Sequence, residues 1–251
     1  MHFHLPKPLH GWREFAGEVG IIVVGVLIAL GAEQIVESFR WQEKVRSTEE
    51  SIRRDLALTA DVASERVAVR RCLDDRLDRL KGLIEHPGAH VALAPDEGGF
   101  PMSRAYRAPA RVWNSQPWDG MLADGTLQHL DPERARALNL LYLTVRSAER
   151  ANQEETAEAP DLWILDDKAL QLTPDKRVDL LQRIASLSRL NGELYGLSRT
   201  ILRRIADLGE LPPLDATIPR LASQYSLAVR CKYARADLQD RVSKGWFTLH
   251  R

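Results

Sequence analysis

Between Glu18 and Glu33 the chain carries fourteen uncharged residues in a row, Val19 to Ala32, dominated by Val, Ile and Leu. A helix with no polar face has to be covered on every side, either by a large core or by lipid. At 1.5 Å per residue the strict run is about 21 Å long, short of the ~30 Å hydrocarbon layer. Extended from Phe15 to Val36 it becomes 22 residues, about 33 Å, with both glutamates a turn or less inside the ends, where a carboxylate reaches headgroups and water. Residues 15–36 are therefore read as a transmembrane helix and residues 1–14 as a short tail.

Two other readings fit parts of the segment. A cleaved signal peptide would use Lys7 and Arg13 as its basic region and Ala29-Leu30-Gly31 as its small-residue cleavage site. The apolar pattern runs on past that site through Ile35, Val36 and Phe39, and Glu18 is a poor entrance to a signal core. A buried core helix of a soluble protein would leave no other segment of comparable apolarity to pack around it. An uncleaved single-pass anchor is the expectation.

At 100° per residue, Glu18, Ile22, Gly25, Ala29, Ala32 and Val36 fall on one stripe, with Glu33 about 60° from Glu18. Small residues on one stripe let membrane helices approach closely, so the stripe predicts a homo-oligomer or one partner membrane helix. Gly and Ala are also common in spans that pair with nothing. The loop charges do not fix topology, because Lys7 and Arg13 on one side face Arg40, Lys44 and Arg46 on the other.

Gly17-Glu18-Val19, the core Gly25-Val26-Leu27-Ile28-Ala29-Leu30 and the later Trp41 resemble the N-terminus of a family of uncharacterised bacterial single-span membrane proteins. Gly31-Ala32-Glu33-Gln34 departs from that family's Asn-rich stretch, and Ala123-Asp124-Gly125-Thr126-Leu127 is similar to its Ser-Gly-x-Leu turn. The resemblance implies an anchored helical protein in the bacterial inner membrane and supplies no catalytic residue. The large C-terminal part is expected on the periplasmic side.

Beyond the anchor, Ala, Leu, Arg, Asp and Glu prevail and β-branched residues are sparse, which predicts an all-α fold. A long helix is expected over 37–86, unbroken or restarting at the capping-box pair Ser47 and Glu50. Its apolar stripe is Leu56, Ala63, Val67, Leu73, Leu77, Leu80 and Ile84. Five prolines and three glycines make 87–117 a long loop. The remaining bundle, 118–251, has helix starts at Asp131-Pro132-Glu133 and Thr173-Pro174-Asp175, ending near Glu158 and Leu208. A short helix is expected within Asp161–Leu170, and a last helix from about Thr217 to Ser243. Four long segments predict an antiparallel bundle.

Thirty-five basic residues balance thirty-five acidic ones, so no basic surface recommends nucleic acid as a partner. Cys72 and Cys231 are expected to pack as two buried thiols; in an oxidising compartment they could instead pair, if their Cα atoms come within about 7 Å. The seven histidines form no helical i,i+4 pair, and no metal, cofactor or catalytic set is predicted. Arg104, Arg107 and Arg111, alternating with Tyr106 and Trp113, are candidates for contact with an anionic group; the plainer reading has the loop's aromatics packing on the bundle. The leading expectation is a membrane-anchored scaffold, sensor-like module or assembly protein. A pore with glutamate rings at Glu18 and Glu33, and an enzyme acting on a lipid or cell-wall substrate, are the alternatives.

Overall fold

The computed structural model describes residues 11–86, 105–107, 109, 111–166, 172–222, 231 and 238–243. They are helical with no strand among them: α1 (Trp12–Glu85), α2 (Gln116–Ala123), α3 (Pro132–Glu158), α4 (Pro174–Asp207) and α5 (Leu214–Leu221), with 3-10 turns at Thr126–His129 and Ala159–Asp166. The all-α expectation holds. The chain forms two units, Met1–Glu49 and Glu50–Arg251. Ser47 and Glu50 both lie within α1, so no new helix starts there.

In the first unit α1 presents apolar side chains all round, and Ile21, Ile22, Val24, Leu27 and Ile28 are each more than half exposed. Among the described residues this is the one helix long and apolar enough to cross a membrane. A soluble environment would leave that surface in contact with water at about 25 cal/mol per Å².

In the second unit the helix ends follow from their capping residues. Asp131 accepts from the backbone N–H groups of Glu133 (3.1 Å) and Arg134 (2.9 Å) with Pro132 at the first helical position, so α3 starts there. Thr173 and Pro174 do the same for α4. Gly209, at φ 71°, closes α4: its N–H bonds Ala206 O and that of Glu210 bonds Ile205 O, the paired bonds that a left-handed terminal residue permits.

Side-chain bonds give the directions of the helices. Ile84 O accepts from Arg177, Asp74 from Asn191, and Arg53 pairs with Glu210, so α4 runs antiparallel to α1. Ser186 bonds Glu158 and Arg189 pairs with Glu154, so α4 also opposes α3. Consequently α1 and α3 are parallel, with Asp55 meeting Tyr142 and Arg66 meeting Glu155. Consecutive long helices can run parallel only if the chain returns between them, and the segment read as a long loop makes that return. Ala105 lies at the level of Arg76, Pro109 at Arg66, Arg111 at Glu65 and Asn114 at Asp55.

All seven residues of the expected α1 stripe are buried. Leu73, Leu77, Leu80 and Ile84 share a core with Leu180, Ile184 and Leu187 of α4, Ile218 and Leu221 of α5, and Leu238 and Val242. From Ala63 to Val69 every residue of α1 is buried. That is about two turns without an exposed face, so α1 is enclosed there by its neighbours.

Cys72 and Cys231 are joined by a disulfide, with Cα atoms 5.9 Å apart. The expectation of two buried thiols is corrected: the fold brings the residues within bonding reach across 159 positions of sequence. The expectation of one last helix from about Thr217 to Ser243 is corrected: α5 begins earlier, at Leu214, directly after Pro213, and ends at Leu221, and Cys231 lies in a turn. Tyr225 and Ala228 lie outside the described residues. Of the helix expected within Asp161–Leu170, residues 161–166 belong to the 3-10 turn Ala159–Asp166, and residues 167–170 lie outside the described residues.

Candidate functional site: a polar seam beneath the connector

Residues 105–114 span nine steps, about 30 Å if fully extended. The α1 positions that hold its two ends, Arg76 and Asp55, are 21 residues apart, about 31 Å of helix. The described residues of the connector, 105–107, 109 and 111–114, are therefore drawn out along α1. An extended segment with no sheet partner has to satisfy its backbone elsewhere, because an unpaired buried carbonyl costs free energy.

Side chains supply those bonds. Ala105 O accepts from Arg76 Nε (2.6 Å), Tyr106 O from Trp163 Nε1 (3.3 Å), Pro109 O from Arg66 (3.3 Å) and Arg111 O from Asn152 Nδ2 (3.3 Å). Proline suits this arrangement, since the connector is used as an acceptor and Pro109 has no N–H to leave unpaired.

The centre of the seam is charged and closed. Arg66 and Glu155 form an ion pair with exposures of 2% and 0%, and Arg66 also donates to Asn152 Oδ1 (2.7 Å). Tyr106 donates its hydroxyl to Glu155 Oε1 (2.9 Å). Burial, the Glu155 charge and that hydrogen bond hold the Tyr106 phenol well above its ordinary range, so it stays protonated as the donor. A buried carboxylate with an arginine and a phenol spent on it is a clamp, with its charge balanced locally.

A second node lies further along. Asp55 accepts from Asn114 Nδ2 (2.7 Å) and Tyr142 Oη (2.9 Å), and the Tyr142 ring stacks on Trp118 of α2 at 5.5 Å. Burial raises the Asp55 carboxyl above its ordinary 3.8, against the pull of those two donors. Between the nodes, Arg111 donates to the buried Glu65 at 2.7 Å. Arg111, expected as a contact for an outside anion, meets an internal carboxylate. Arg107 is exposed, and Arg104 lies outside the described residues. Tyr106 and Trp113 are both buried, as the plainer reading of the loop has them.

The other candidate, the stripe Glu18, Ile22, Gly25, Ala29, Ala32, Glu33 and Val36, is exposed along its whole length in the first unit. A Cβ at Gly25 would meet no atom within 4 Å. Among the described residues no three His, Cys, Asp or Glu side chains are grouped to hold a metal ion. The turn at Ala123–Leu127 is built by Asp124, which accepts from the Thr126 N–H (2.9 Å), with Gly125 at φ 78°.

Arg66, Glu155, Asn152, Asp55, Asn114 and Tyr142 were not singled out by the sequence. One signal was present: Asp55, Thr59 and Arg66 share a stripe of α1 beside the apolar one. Polar and charged residues at such spacing usually face water, and the connector and α3 lying over them together make this stripe internal. Comparison with protein-family models, with curated proteins and with solved structures finds no match for this chain.

Proposed function

We propose that the protein is a single-pass membrane-anchored scaffold or assembly module whose helical domain stands in an oxidising compartment and acts through protein contacts. The Cys72–Cys231 disulfide supports the reading of an oxidising compartment, since protein disulfides persist outside reducing cytosol. An apolar helix of membrane length in the same chain supplies the anchor. In a bacterial cell the two together correspond to an inner-membrane protein with a periplasmic domain.

The seam supports the contact role. Its arginines, carboxylates and tyrosines are committed to holding the connector, which leaves the domain a rigid, internally braced platform. The anchor stripe remains the expected surface for a second copy or one partner helix.

Two measurements test these parts. Thiol blocking of intact cells should leave Cys72 and Cys231 unlabelled until reduction; reactive thiols in the untreated protein would place the domain in a reducing compartment. Native mass measurement after mild-detergent extraction should find a second copy or a bound protein. A bare monomer, with the same mass in Gly25→Leu and Ala29→Leu variants, would remove the contact role.

A further inference from the structure

The two ends of the anchor carry aromatic side chains in different settings. At one end Trp12 and Phe15 pair with ring centroids 6.1 Å apart, both exposed. At the other, Phe39 is exposed, Trp41 Nε1 donates to Glu37 Oε1 (2.9 Å), and Lys44 Nζ stands 4.7 Å from the Trp41 ring centroid. Trp41 thus offers an apolar face, a satisfied N–H and an attached cation, a combination suited to a layer that is half apolar and half wet.

The spacing of these groups is informative. Trp12 and Trp41 are 29 residues apart within α1, about 43 Å, against about 40–45 Å for a bilayer with both its headgroup layers included. Their midpoint falls between Val26 and Leu27, inside the most apolar stretch. Half of a 30 Å hydrocarbon layer is about ten residues to each side. That places the hydrocarbon borders near Gly17 and Val36. Glu18 and Glu33 then lie just inside the two borders, within reach of the headgroups.

We propose that Phe39, Trp41 and Lys44 form a headgroup collar that binds phospholipid at one membrane surface and, with Trp12 and Phe15 at the other, sets the depth of the span. The ammonium group of Lys44 meets the phosphate while the two rings lie within the headgroup layer, a division of labour that aromatic belts and long cationic side chains share. The proposal rests on the membrane-anchor reading, whose span of residues 15–36 already includes Ile35, and adds the ligand and the groups that hold that register.

Single cysteines in the full chain in native membranes, with Cys72–Cys231 left oxidised, distinguish the two. Labelled with an aqueous maleimide, Val24→Cys, Ile28→Cys and Ile35→Cys should be protected and Gln42→Cys and Val45→Cys reactive. Labelling of Val24→Cys and Ile28→Cys would overturn the anchor itself and the collar with it. Protection at those two positions with Ile35→Cys as reactive as Gln42→Cys would overturn the collar and shorten the span at that end, leaving the anchor itself in place. Adding Trp41→Ala and Lys44→Ala to the Ile35→Cys chain should expose its thiol, and continued protection would show that the collar does not set the depth.

Discussion

At the scale of single residues, the energetics concentrate in side chains that look like surface charges in the sequence. Removing one partner of a buried ion pair strands the other, at about 3–5 kcal/mol. Glu155→Ala should destabilise the domain by about that amount in urea unfolding, and Tyr106→Phe by about 1–2 kcal/mol, the order of one hydrogen bond. The double variant Arg66→Met with Glu155→Leu should recover part of the loss. Recovery should be incomplete, because Arg66 also donates to Pro109 O and Asn152. Asp55 gives a pH prediction. Its carboxyl is raised in the folded state above the ordinary 3.8, so the folded protein binds this proton more tightly than the unfolded chain. Its contribution to stability is present at low pH and falls as pH rises from 3.8 through the raised folded value. Thermal unfolding across pH 4–7 should show wild type losing stability relative to Asp55→Asn as pH rises; parallel profiles would contradict it.

At the scale of elements, the chain states its own helix boundaries clearly because caps are local chemistry. Asp131-Pro132 and Thr173-Pro174 begin α3 and α4 where the sequence predicts, and Gly209 ends α4 with the left-handed conformation that a glycine permits. Asp131→Ala removes the acceptor for two backbone N–H groups and should cost about 1 kcal/mol, read as a lower unfolding midpoint at unchanged slope. The connector was legible as non-helical, as part of the proline- and glycine-punctuated segment 87–117, but its extension was not. That extension depends on carbonyl acceptors at 105, 106, 109 and 111 meeting donors from α1, α3 and the turn at Ala159–Asp166, all distant in sequence. No local pattern records such a match.

At the scale of the whole molecule, the disulfide ties α1 to Cys231 across 159 positions. In the chain-entropy account a loop of that length contributes at most about 5 kcal/mol, through the unfolded state. Cys72→Ser with Cys231→Ser should lower stability by about 2–5 kcal/mol, measured on the purified full chain in detergent, and an unchanged midpoint would show that the crosslink adds nothing. By itself the sequence determined what depends on neighbours a few residues apart: the all-α class, the α3 and α4 boundaries, the apolar stripe of α1 and a segment long and apolar enough to span a bilayer. The tertiary structure decided the rest: the parallel course of α1 and α3, the burial of Glu65, Arg66 and Glu155, the inward turn of Arg111, and the pairing of two cysteines expected as separate thiols. The reason is reach: a cap or an apolar period is fixed within one or two turns, whereas an ion pair or crosslink needs residues that only folding brings together.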